Sequence, residues 1–170
     1  MLEMSKADRT TGYRLGGLML FAAAGSIVAA LGFQYIGGYE PCPLCLMQRY
    51  AYYAAVPLLF IAMALAAEKP KLAGFFFLIV AVGFLANAGL GTYHAGAEWK
   101  FWPGPSTCSG ASTVPTSAAD LLKGMENRVV RCDEASWRLF GLSFAGWNVM
   151  ISLALFALGL RAAAVSAQGS

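Results

Sequence analysis

Charged side chains are scarce in this 170-residue chain: twelve Lys and Arg and nine Asp and Glu make up 12% of it, against about 25% in soluble domains. Together with a hydrophobic content of 58%, that shortage excludes an ordinary soluble fold. Histidine occurs once, at His94, so a zinc site would have to rest almost wholly on cysteine. The chain has no internal repeat, no phosphate-cradling glycine loop and no paired-carboxylate constellation. It also lacks the basic cluster or aromatic-interleaved patch that would receive nucleic acid, and its net charge of +3 is the ordinary signature of membrane topology.

What the chain does have is long apolar runs. A bilayer core about 30 Å thick needs about 20 residues of helix, and four stretches approach or exceed that length: Leu15 to Ile36, Tyr50 to Ala67, Leu72 to Tyr93 and Leu139 to Leu160. The first three carry no charge, and the fourth is cleanest from Phe144, so spans are expected at about 15–36, 50–67, 72–93 and 142–160. The first run is much longer than the roughly 7 to 15 residues of a signal-peptide core, which favours a retained span. Many of the nineteen glycines are dispersed through these runs, where small residues let helices approach closely. The expected fold is an all-α membrane protein, a single antiparallel four-helix transmembrane bundle over 1–170.

Cation placement sets the orientation. Lys6, Arg9 and Arg14 precede the first span, Lys69 and Lys71 fill the turn between the second and third, and Arg161 ends the fourth. The other six cations are spread over a much longer stretch on the opposite face, so density puts both termini in the cytoplasm. Parity then places the loops at about 37–49 and 94–141 on the far side, and these contain all four cysteines: Cys42, Cys45, Cys108 and Cys132. An oxidising exterior such as the periplasm permits two disulfides, Cys42 with Cys45 and Cys108 with Cys132, although four cysteines allow three pairings and sequence does not choose among them.

A C-x-x-C pair can hold zinc, staple the chain or carry electrons. Zinc fits poorly, because Cys108 and Cys132 are separated by 23 residues, far from the two to four of a ligand pair, so no metal is assigned. A structural staple is the plain alternative, since most extracellular disulfides are structural. The setting of the first pair argues for chemistry. Cys45 lies where the second span begins, so the positive end of that helix favours its thiolate, and Arg49, one turn on, acts in the same direction unless it merely reaches for water at the span end.

Between the second pair, TSAADLLKGMENRVV places Ala118, Leu121, Leu122, Met125 and Val129 at helical spacing, which predicts a short helix on the outer membrane surface. The Gly- and Pro-rich segment before it breaks any helix and sets Cys108 on an arm that can reach a partner.

EPCPLCLMQRY at the second span's entry, YHAGAEWKFWPGPSTC after the third and RCDEASWRLFGLSFAGWN leading into the fourth resemble the DsbB family of membrane disulfide-forming oxidoreductases, in order, spacing and topology. The resemblance implies a multi-pass protein of the bacterial inner membrane. It would take electrons from a periplasmic DsbA-type thioredoxin-fold protein, pass them through two cysteine pairs and deliver them to a membrane quinone, ubiquinone or menaquinone. By the same resemblance Cys108 forms the mixed disulfide with the partner, Cys132 attacks Cys42, and Cys45 donates to the quinone. Arg49 matches the family's quinone-site arginine, and His94 borders the quinone. Gln48 belongs to the motif without a role that sequence reveals. Glu98 lies in a family-like segment, and Trp99 and Trp102 read as interface anchors.

Energetics make an external oxidant necessary. A DsbA-type partner sits near about −120 mV and an ordinary structural disulfide below about −300 mV, so oxidising the partner with such a disulfide is uphill by roughly 8 kcal/mol. A membrane quinone meets that need. The rival readings are an enzyme like vitamin K epoxide reductase, which also joins a C-x-x-C to quinone chemistry, and a non-enzymatic membrane protein with structural disulfides.

Overall fold

The computed structural model describes residues 6–105 and 131–168. Its elements are α1 (Lys6–Tyr35), α2 (Pro43–Leu65), α3 (Pro70–Glu98), a two-stranded hairpin of β1 (Arg138–Leu139) and β2 (Leu142–Ser143), and α4 (Phe144–Gln168). All four helices are long and apolar enough to cross a membrane, as the uncharged runs predict. Cys108 and the helix expected near 117–129 lie outside the described residues.

Helix ends explain the spacing of the site. Pro43 takes the first helical position of α2, where its missing N–H costs nothing, and Cys42 becomes the N-cap with extended backbone (φ −70°, ψ 164°). The helix therefore starts seven residues before the expected span, and Cys45, Gln48 and Arg49 all stand on it. Pro70 opens α3 in the same way. At the other end of α3 the chain turns through Lys100 in the left-handed region (φ 63°), with Lys100 N–H donating to Ala97 O and Phe101 N–H to Gly96 O.

β1 and β2 pair antiparallel, Arg138 opposite Ser143 and Leu139 opposite Leu142. Phe140 and Gly141 both have positive φ (52° and 81°), which is the two-residue turn whose twist suits a tight hairpin. Ser143 ends the hairpin and its Oγ accepts from Gly146 N–H, capping the first turn of α4.

Met19, Leu59, Phe77, Phe84 and Leu155 fill the centre of the bundle, and α3 is the most enclosed of the four helices. Phe21, Val28, Phe60, Phe75, Val82 and Met150 point outward, as lipid-facing side chains do. Lipid is as apolar as the interior, so close packing and interhelical hydrogen bonds hold the bundle together. Gly91 shows the first: a Cβ there would lie 2.9 Å from Val149 Cγ2, so glycine sets how near α3 comes to α4. Tyr52 shows the second, its hydroxyl donating to Asn148 Oδ1 (2.7 Å) beside Asn87, whose Nδ2 donates to Asn148 Oδ1 (3.2 Å) and Ser152 Oγ (3.0 Å).

Candidate redox site

Because Cys42 is the N-cap of α2, its sulfur receives what the start of a helix offers. Cys45 N–H donates to Cys42 Sγ (3.3 Å), and the two sulfurs stand 3.1 Å apart as free thiols. The hydrogen bond from the Cys45 thiol is the largest influence on Cys42, which is pushed down to about 4; His94 and the Cys45 backbone N–H add to it, and burial opposes it. The helix-start stabilisation expected for Cys45 thus falls on Cys42, for the geometric reason that α2 begins at Pro43.

His94, near the end of α3, joins this sulfur. Its ring is 2% exposed, with Nε2 3.6 Å from Cys42 Sγ and Nδ1 2.9 Å from Gln48 Nε2. The same Nε2 lies 3.7 Å from Glu98 Oε1, one helical turn away. The lone histidine of the sequence is therefore in contact with the cysteine pair.

Cys132 arrives from the other loop. It is completely buried and disulfide-bonded, and its sulfur, Cys42 Sγ and a His94 ring nitrogen all lie within 4.8 Å of one another. Leu44 and Leu90 pack around the sulfurs. The next residue ties this segment to the end of α3: Asp133 Oδ2 accepts from Lys100 Nζ at 2.7 Å, and the Arg131 guanidinium grips both carboxylate oxygens at 3.0 Å. These partners, Arg131 first, hold the Asp133 carboxyl well below the usual carboxylate range.

Arg49 turns toward α1. Its Nη1 donates to Gln34 Oε1 at 2.6 Å and its Nη2 to Ala30 O at 3.5 Å, so the guanidinium ties α2 to α1 while lining the same cavity as Cys45. That cavity measures about 690 Å³ and is lined by all four helices and by the 131–139 segment, α3 contributing His94 and Glu98. Four of its lining aromatic rings, Phe33, Tyr39, Trp137 and Phe144, form one cluster, with Trp137 stacked on Phe144 at 4.9 Å and Phe33 edge-on to Phe144 at 5.0 Å.

The chain matches the family model described as disulfide bond formation protein DsbB over residues 13–162. It is 34% identical to the disulfide bond formation protein B of Methylococcus capsulatus, over 92% of this chain and 95% of the relative. It is also 30% identical to that of Marinobacter nauticus, over 85% and 87% of the two chains, and 29% identical to that of Verminephrobacter eiseniae, over 96% of each. The chain belongs to the DsbB family. No solved structure matches it.

As a DsbB-family chain it is a membrane protein of disulfide bond formation. Of the residues the sequence singles out, the fold brings Cys42, Cys45, Cys132 and His94 together and sets Arg49 on the neighbouring wall; Cys108 is outside the described residues. Two features escape sequence reasoning. Gln48 carries its motif but shows no partner until α2 and α3 are packed, and the aromatic cluster draws on α1, the loop after it, the segment before α4 and the first residue of α4. Trp102, read as an interface anchor, folds back over Gly96, donates to Tyr93 O (2.9 Å) and stacks on Tyr93.

Proposed function

We propose that this DsbB-family chain oxidises a periplasmic DsbA-type dithiol protein and passes the electrons through its two cysteine pairs to a membrane quinone. The observation that carries the reading is the meeting of three sulfurs beside a large apolar cavity: Cys42 and Cys45 line it, and Cys132 lies within 4.8 Å of Cys42. A chain of thiol–disulfide exchanges needs sulfurs that close, with a thiolate at the attacking or leaving position.

The residues fit a quinone. The cavity has room for a substituted ring, its aromatic cluster offers flat apolar faces, and Arg49, Gln48 and His94 bring polar groups to its wall. A quinone bound there supplies a two-electron, two-proton acceptor of higher potential than the thiols. The protein's own groups do the rest. The partner's two thiols reduce the Cys108–Cys132 disulfide and become a disulfide themselves. Exchange between Cys132 and Cys42 then breaks the Cys42–Cys45 bond, closes Cys108–Cys132 again and leaves both electrons, with two protons, on Cys42 and Cys45. Re-forming the Cys42–Cys45 bond releases them to the quinone. Arg49 holds the cavity wall between α1 and α2 and places a permanent cation beside it.

Both termini are cytoplasmic and the cysteines face the periplasm in this reading, with the protein in the bacterial inner membrane. The test is an anaerobic titration of purified protein, loaded with ubiquinone or menaquinone, with a reduced DsbA-type protein. Stoichiometric loss of the oxidised quinone's ultraviolet absorbance, abolished by Cys45→Ala, is expected. Unchanged absorbance while the partner remains reduced refutes the reading.

A further inference from the structure

Gln48 and His94 are among the most enclosed polar side chains of the bundle, 5% and 2% exposed, and each meets the other at 2.9 Å across α2 and α3. The atom of Gln48 that faces the ring is Nε2, an amide nitrogen that only donates. His94 Nδ1 must then accept, and a neutral imidazole has its single proton on Nε2. That nitrogen lies 3.6 Å from Cys42 Sγ and 3.7 Å from Glu98 Oε1, so its N–H points into a space bounded by two acceptors.

The reversed arrangement is electrostatically poor. With the amide turned over, Gln48 Oε1 would require the proton on Nδ1, and the Nε2 lone pair would face the electron pair of the Cys42 thiolate. Burial makes such a mismatch costly, because no water is available to repair it. The groups facing the ring are Cys42 at the N-cap of α2, Gln48 on α2 and Glu98 from α3, with Cys132 from the second loop; Ser143 of β2, by a hydrogen bond, and Arg138 of β1 act on Glu98. Arg49 is turned to α1.

We infer that Gln48 is a positioning residue that locks His94 in its Nε2–H tautomer, so that His94 donates a hydrogen bond to Cys42 whenever Cys42 has its electron pair as a thiolate. This rests on the proposed thiol chemistry of Cys42 and deepens it. In exchange between Cys42 and Cys132, one S–S bond forms as another breaks and the electron pair moves to the departing sulfur. When that sulfur is Cys42, the locked N–H receives it; when Cys42 attacks, the same N–H has held the attacking pair. The conserved balance is one bond for one bond, with no proton transferred through the ring.

Nitrogen-15 NMR of histidine-labelled protein in detergent reads the tautomer directly, since His94 is the only histidine of the sequence. Wild-type protein at neutral pH is expected to show the Nε2–H form alone. In Gln48→Met protein, which keeps the side-chain length without an amide, both tautomers should appear. The pH midpoint of iodoacetamide alkylation at Cys42, followed by mass spectrometry of its peptide, should move up by about one unit. In a His94→Phe background Gln48→Met should not move the midpoint further. A wild-type ring protonated on Nδ1 overturns the inference, as does a Gln48→Met protein with unaltered tautomer or unaltered midpoint. If Gln48→Met fails to fold, the wild-type spectrum still decides. None of these readouts needs quinone or partner, so a failure of quinone reduction counts against the proposed function alone.

Discussion

Placing a methyl group at Gly96 tests how the end of α3 is built. An added Cβ would be built inside the Trp102 indole, 2.6 Å from its Cε2, and the ring cannot simply slide away. Trp102 Nε1 donates to Tyr93 O at 2.9 Å and the indole stacks on Tyr93 at an interplanar angle of 12°. Gly96→Ala therefore expels Trp102, losing a hydrogen bond of about 0.5–1.5 kcal/mol and an aromatic contact of about 0.5–1.5 kcal/mol. Alanine's better helix propensity returns about 0.5–1 kcal/mol, so the central values leave a net destabilisation of about 1 kcal/mol. Thermal unfolding in detergent, followed by circular dichroism, measures it. The control is a Trp102→Ala background, where nothing obstructs the methyl group and Gly96→Ala should be neutral or stabilising. Lys100 sits between these two residues and holds Asp133, so Gly96→Ala should also slow thiol exchange at Cys132. A Gly96→Ala protein as stable as wild type in the wild-type background would show that Trp102 does not pack on this turn.

Four further outcomes follow from the geometry. Cys45→Ala removes the hydrogen bond that contributes most to the low value of Cys42, so the alkylation midpoint of Cys42 should rise well above about 4, whereas Cys45→Ser, which keeps a donor, should hold it near there. Since that value is depressed, the thiolate's stabilising contribution is complete above the ordinary thiol range and is lost as pH falls toward about 4; Cys45→Ala protein should lose less stability on acidification than wild type. Asp133→Asn breaks solvent-screened pairs, so exchange at Cys132 should slow only a few-fold and the difference should shrink in high salt; a loss that ignores salt would contradict the ion-pair clamp. Tyr52→Phe deletes the donor to Asn148 Oδ1 and should cost about 0.6–1.5 kcal/mol in the same unfolding assay, with no cost if the interhelical network is not formed.

The four spans were legible because the requirement is local: a chain crossing lipid must satisfy its own backbone and present apolar side chains over about 20 residues. The entry of α2 was legible in part. Hydropathy places the span start near Tyr50, where polar Gln48 and Arg49 end, but a helix can begin before the apolar run does, and Pro43 starts it at the cysteines. That shift of seven residues, about two turns, decides which sulfur is the N-cap, and so why Cys42 receives the Cys45 N–H. Lipid and protein interior are equally apolar, so these helices carry little periodic signal for which face is buried, and the sequence cannot announce that Gln48 and His94, 46 residues apart, meet across α2 and α3. The same holds for Arg49, whose single charge reads as a partner of Cys45 one turn away but whose long side chain takes Gln34 and Ala30 on α1. Sequence by itself determined the number of spans, the cysteine inventory and the family motifs, all of which are contiguous in the chain. Only the tertiary structure decided which sulfur, ring and amide come together, because that depends on the rotation of each helix about its axis and on the 131–139 segment folding back over α2 and α3.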